Sequence, residues 1–165
     1  MNMLNNTLNM KKIILIAVMA LGFAVAAVAQ PRALGVRFGN GLELSYQHTM
    51  EENFVSIDGG LGLDFLNNSA VYAGATAVYN FMIAKPEWTA EGEWGFYAGP
   101  GAAAGLGLGS PSHFNLAAAG AVGLEYTFWF PLQLSIDFRQ SLGYSFGAGK
   151  CFAPSSIGLG VRYRF

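Results

Sequence analysis

From Leu34 onward the chain alternates with a period of two, an apolar or aromatic residue followed by a small or polar one. Successive side chains of a β-strand point to opposite faces, so this period predicts strands with one apolar and one polar face. The last segment is the clearest. Ile157, Leu159, Val161, Tyr163 and Phe165 share one face, and Ser156, Gly158, Gly160, Arg162 and Arg164 share the other. Residues 132–146 repeat the pattern with Asp137 and Arg139 on the polar face, and residues 116–128 with Glu125 and Thr127 there. Upstream, residues 94–108 alternate with small residues and Tyr97. Residues 71–83 and 55–65 give two further strands, the latter with Ser56, Asp58 and Asp64 on its polar face.

Near the start, residues 34–38 and 42–46 flank Gly39-Asn40-Gly41. A three-residue loop sets Phe38 opposite Leu42, Val36 opposite Leu44 and Arg37 opposite Glu43. The last of these is a favourable cross-strand charge pair. A two-residue loop would set Phe38 against Glu43 and mix the faces. The three-residue register is therefore predicted.

Ahead of the strands the pattern changes. Lys11 and Lys12 precede an apolar run, residues 13–28, that ends in Ala27-Val28-Ala29. This is the layout of a cleaved secretory signal peptide, residues 1–29, and the run is too short for a membrane helix. Residues 30–165 then form the barrel domain. They supply 136 residues for eight strands, or 17 per strand and connection. A membrane-crossing β-strand needs about 9–11 residues. The prediction is an all-β fold, an eight-stranded antiparallel up-and-down transmembrane β-barrel.

A soluble β-sandwich alternates too, but it turns Lys and Glu to water. These polar faces carry Gly, Ser and Ala with isolated charges. Aromatic residues gather at strand ends, with Tyr79, Phe81, Trp88, Trp94, Tyr126, Phe128, Trp129, Phe130, Tyr163 and Phe165 at one rim. Phe65, Phe114, Tyr144 and Phe146 lie toward the other, as in the two girdles of an outer-membrane barrel. With eight strands both chain ends are expected on the periplasmic side. Connections 48–53, 84–92 and 129–131 then face the periplasm, and 39–41, 66–69, 109–113 and 147–154 face outward.

Composition narrows the function. The chain is 53% hydrophobic and only 12% charged, against about 25% charged in a soluble domain. Disorder is excluded. The formal net charge is -1, and removing the two signal lysines leaves seven basic against ten acidic residues, net -3. No basic face exists for nucleic acid. One cysteine gives no internal disulfide, and with two distant histidines it gives no metal-ligand spacing. Gly99-Pro100-Gly101 and the glycines of 105–109 mimic a phosphate loop. They continue as strand where a phosphate loop needs a helix, so no cofactor is expected.

An enzyme of the barrel hydrolase kind needs a Ser, a His and a carboxylate together. His113 stands beside Ser110 and Ser112 in an outward connection that has no carboxylate. His48 stands near Glu51 and Glu52 in a periplasmic turn, where all three are solvated. No catalytic residue is assigned. The charges that parity turns inward are Arg37, Arg139, Arg162 and Arg164 against Glu43, Asp58, Asp64, Glu125 and Asp137. An eight-stranded barrel is just wide enough for side chains to fill it. A near-balanced ion-pair network in place of a hydrophobic core is the expectation. The alternative is a narrow, porin-like path for ions or small solutes, with Gly60, Gly62, Gly74, Gly105 and Gly107 leaving room for water.

The chain resembles the small outer-membrane β-barrel proteins of Bacteroidota-type Gram-negative bacteria. The resemblance is carried by Gly35-Val36-Arg37-Phe38-Gly39, Tyr97-Ala98-Gly99-Pro100-Gly101-Ala102, Gly123-Leu124-Glu125-Tyr126-Thr127-Phe128 and residues 131–139. Gln140 stands where family members carry Pro. The terminal Arg162-Tyr163-Arg164-Phe165 is similar to the aromatic signal read by the outer-membrane insertion machinery, with Val161, Tyr163 and Phe165 as its apolar positions. The resemblance implies a barrel in the cell outer membrane and no agreed ligand or reaction. Outer-membrane lipid and the insertion machinery are the expected partners, and a monomer is the expected state.

Overall fold

A computed structural model describes residues 32–63, 71–108 and 112–165. The signal peptide expected at residues 1–29, Asp64, Phe65 and the connection 66–69 lie outside the described residues. So do residues 109–111 of the connection 109–113.

The described chain folds into nine strands: β1 (Arg32–Phe38), β2 (Gly41–Met50), β3 (Asn53–Leu63), β4 (Val71–Ala84), β5 (Glu93–Gly107), β6 (His113–Thr127), β7 (Leu132–Phe146), β8 (Lys150–Phe152) and β9 (Ser155–Arg164). Each pairs antiparallel with its sequence neighbour from β1 to β8, and β9 pairs with both β7 and β1, which closes the sheet. No helix occurs among the described residues.

The nine strands make eight staves. β8 lies on β7 in the register Ser145 opposite Lys150 to Gly143 opposite Phe152. β9 continues that register from Gln140 opposite Ser155 to Leu132 opposite Tyr163. The break falls at Ala153 and Pro154. Proline has no N–H to give a ladder, yet its carbonyl accepts from the Ser141 N–H at 3.0 Å. Gln140 Nε2 donates to the Ala153 and Pro154 carbonyls, each at 3.2 Å.

The first hairpin adopts the three-residue register, with Arg37 opposite Glu43 and Val36 opposite Leu44. Three connections are shorter than the sequence suggests. The outward connection expected at 147–154 is only a turn at 147–149, because Gly147 and Gly149 take φ values of +98° and +68° and let the stave resume at Lys150. His48 lies within β2, opposite Arg32 and Val55, so the turn there is Glu51-Glu52 alone. Glu51 supplies the positive φ, 57°, that two-residue hairpin turns require. His113 opens β6 opposite Gly107, buried, where an outward connection was expected.

Polarity is inverted relative to a soluble domain. The largest fully buried side chains are Arg37, Val78, Asn80, Asp58, Ser45 and Ser145. Leu42, Leu44, Leu61, Leu142, Ile157 and Leu159 are all more than half exposed. Water would not tolerate so continuous an apolar surface, whereas lipid matches it, and closure leaves no unpaired strand edge in the bilayer. Aromatic rings bracket the band. At the rim that holds both described chain ends, joined by Phe165 N–H to Arg32 O at 2.8 Å, rings stack in series. Trp88 meets Trp94, Trp94 meets Tyr126, Tyr126 meets Phe128 and Phe128 meets Phe130, at centroid distances of 4.6 to 5.4 Å. At the opposite, far end Phe146 contacts Phe114 and Tyr144.

Candidate functional site

The inward faces of the staves build a polar lumen. Arg37 and Asp58 are its most enclosed charges, each 1% exposed. Arg37 is held from two sides. Its Nη2 donates to Asp137 Oδ1 at 2.5 Å, and its Nε donates to both Asp137 oxygens at 3.0 and 3.1 Å. Its Nη1 reaches Glu43 Oε2 at 2.8 Å. The hairpin made Glu43 the expected partner; the structure gives Asp137 the larger share. β9 makes this possible through Gly158, where a Cβ would lie 2.3 Å from Arg37 Cζ. Any side chain at that position would have to displace the guanidinium.

Arg139 extends the cluster. Its Nη2 donates to Asp58 Oδ2 at 2.6 Å, and its Nη1 lies 3.5 Å from Glu43 Oε2. Arg139 is on β7 and Asp58 on β3, four staves apart in either direction round the ring. Their bond therefore crosses the full diameter. Gln47 on β2 and Glu125 on β6 are also four staves apart, and Gln47 Nε2 donates to Glu125 Oε2 at 3.1 Å. These two struts stand at successive levels, because Ser45 is opposite Asp58 and Gln47 is opposite Ser56. Between and beside them Arg162 donates to Ser45 Oγ and Ser135 Oγ, each at 2.8 Å. Asn80 donates to Ser56 Oγ at 3.1 Å, and Phe54 meets Tyr97 edge to face at 5.0 Å.

The structure thus joins Arg37, Glu43, Asp58, Asp137 and Arg139 in one ion-pair cluster. It does not join the other inward charges to it. Arg162 is held by hydroxyls, Glu125 by an amide, and Arg164 lines a small cavity at the terminal end without an ion pair among the described residues. Asp64 lies outside the described residues. A reading by charge passed over Ser45, Gln47, Asn80 and Ser135. The signal for them was the same parity applied to uncharged polar residues.

The lumen is unevenly filled. Above the cluster, toward the far end, is a cavity of about 530 Å³ lined by Glu43, Arg139, Asn115, Thr76, Ser156 and Tyr72 among others. At the terminal end the space is about 80 Å³, beside Gln47, Glu125, Gln133 and Arg164. Glycines do not all leave room. At Gly74 and Gly105 a Cβ would lie 2.5 and 2.1 Å from the Tyr72 ring and hydroxyl, so these two seat that side chain.

The histidines stand at opposite ends, His48 on β2 opposite Arg32 and His113 opposite Gly107. Tyr46 Oη is 3.5 Å from His48 Nδ1. Among the described residues no three His, Cys, Asp or Glu side chains converge as metal ligands.

The barrel is similar to the crystal structure of Neisserial surface protein A (NspA), with a TM-score of 0.54 and 13% identity over 82% of this chain and 94% of that one. The fold is that of an outer-membrane β-barrel. A further similar structure is Ail, the attachment invasion locus protein of Yersinia pestis, with a TM-score of 0.46 and 12% identity over 84% of this chain and 100% of that one. No protein-family model matches the sequence, and no curated protein matches it. At such identities the likeness speaks for the fold. The closed ring, the apolar outer face and the aromatic rims make the protein a membrane-spanning barrel of the outer-membrane type.

Proposed function

We propose that the protein is a monomeric outer-membrane barrel of structural or surface-interaction type whose lumen is closed by its own side chains. One observation carries this reading: two hydrogen-bonded pairs, Arg139 with Asp58 and Gln47 with Glu125, span the full diameter at successive levels. Charges in a closed lumen are costly unless they are paired, and these side chains meet partners across the bore. In this reading residues 1–29 are a cleaved export signal. Val161 and Tyr163 on the outer face of β9 and Phe165 just past its end, all exposed, present the strand to the insertion machinery. The motifs at 35–39, 97–102, 123–128 and 131–139 favour the Bacteroidota-type family. The barrel does no chemistry and acts through its outward hairpins.

A second reading, a narrow path for ions or small solutes, is favoured by the cavities at both ends of the lumen.

Location and orientation are tested together. In a Cys151→Ser background, Asn40→Cys places a thiol at the first hairpin's tip. Intact cells expressing it should label with a membrane-impermeant maleimide, and the protein should fractionate with the outer membrane and shift in electrophoresis only after boiling. Labelling that requires broken cells would reverse the orientation, and release into the soluble fraction would end the reading.

A further inference from the structure

We propose that the terminal end of the seam between β4 and β5 is a lateral slit, which opens to bring lipid acyl chains against apolar side chains inside the lumen. The β4–β5 register runs unbroken from Tyr72 opposite Gly107 to Val78 opposite Gly101. It resumes only at Phe81 opposite Ala98 and then shifts at a bulge between Met82 and Ala84. Pro100 causes the gap, because it has no N–H to give a ladder. Toward β6 the register passes Pro100 opposite Gly120 without a break, so the loss falls on the β4 side. From Pro100 to the rim, three residue pairs hold the seam: Phe81 with Ala98, Met82 with Tyr97 and Ala84 with Phe96.

The other contacts divide along the same line. β4 is tied back to β3: the Met82 N–H donates to Asn53 Oδ1 and Asn80 Nδ2 donates to Ser56 Oγ, each at 3.1 Å. The connection 85–92 is tied forward to β5 and β6. Trp94 Nε1 donates to Thr89 Oγ1 at 3.1 Å, and Tyr126 Oη donates to the Glu91 carbonyl. Gly92, at φ +80°, makes room for that hydroxyl, since a Cβ there would lie 2.5 Å from it. Among the described residues no hydrogen bond of this connection reaches β4. The outer rings divide too, Tyr79 with Phe81 on β4 and the series from Trp88 to Phe130 on the other side. Inside the lumen the rings of Phe54 on β3 and Tyr97 on β5 meet edge to face across the seam, and both are buried. Acyl chains can meet such rings at little cost. Backbone opened deep in lipid would be costly, but this stretch lies at the aromatic rim, the level of the headgroups. Neither strut includes β4 or β5, so the slit opens with the lumen still closed.

Residue-resolved amide exchange of the protein in phospholipid nanodiscs tests the slit. Ala98 and Val122 each lie five residues inside the rim ends of their strands, Glu93 and Thr127. Amides bridging β4 and β5 from Phe81 to Ala84 should exchange about tenfold faster than those bridging β6 and β7 around Val122. Pro100→Ala returns an N–H to the ladder and should slow them about fivefold, the worth of one hydrogen bond. Phe54→Ala removes the contact across the seam and should hasten them. A phospholipid spin-labelled on its acyl chain should broaden the Tyr97 ring signals and spare those of Tyr72, which faces the far-end cavity. Seam amides as protected as those around Val122, exchange indifferent to a folded variant, or Tyr97 signals no broader than those of Tyr72 would each overturn the proposal.

Discussion

Toward the terminal end the lumen holds Phe54, Tyr97, Val78 and Asn80 in contact around the Gln47–Glu125 strut, while toward the far end it opens into a cavity of about 530 Å³. The ring of staves is the same in both halves, so ring width cannot be the difference. Side-chain size at inward positions is. β4 reads Gly74 and Thr76 in the open half and Val78 and Asn80 in the closed one. β5 reads Ala103 and Gly105 against Tyr97, and β6 reads Asn115 and Ala117 against Glu125. An eight-stave barrel fixes a bore that medium side chains fill. Glycine and alanine then make a cup, and arginine, glutamine and tyrosine make a stopper.

The sharpest break in this comparison is at the boundary between the halves. Asp137→Ala removes three of the hydrogen bonds of Arg37 and leaves it Glu43 as its one ion-pair partner, and loss of a partner from a buried ion pair costs about 3–5 kcal/mol. Glu43→Ala, on the cup side, leaves Arg37 its Asp137 bonds and should cost about 0–1 kcal/mol, as for an exposed pair. Urea unfolding in lipid vesicles separates them, and equal losses would contradict the unequal sharing.

The outer surface should ignore the division. Val161→Arg places a charge against lipid and should cost about 2–4 kcal/mol near mid-membrane. A smaller loss, about 1–3 kcal/mol, is expected for Gly158→Ala, whose new methyl displaces the Arg37 guanidinium. The same unfolding assay reads both. Smallest of all is Ala103→Ser in the cup, within about 0.5 kcal/mol of wild type. A loss there as large as that of Gly158→Ala would mean the cup is packed after all.

The alternation made the strands legible because a period of two has one meaning for a closed sheet, and the Arg37–Glu43 register followed from keeping hydrophobic faces together. The connections were less legible. Gly147 and Gly149 read as loop residues, yet their positive φ tightens the turn, and Pro154 interrupts a stave without ending it. Within the lumen, parity named which side chains point inward but not which meet. Partners such as Arg139 and Asp58, 81 residues apart, depend on the tilt and stagger of the whole ring, which no local pattern encodes. Nor could composition distinguish a glycine that lets the neighbouring strand's backbone approach, as Gly60 does at the Leu42 carbonyl, from one that seats a ring, as Gly74 does.

Closure of the lumen by the two struts is tested most directly by planar-bilayer recording of the wild type beside the Asp58→Ala, Arg139→Ala, Gln47→Ala, Glu125→Ala variant, with folding verified by the heat-dependent shift. The account predicts no steady conductance from the wild type and a clear one from the variant. A wild-type conductance that strut removal leaves unchanged, or a folded variant that stays closed, would contradict it.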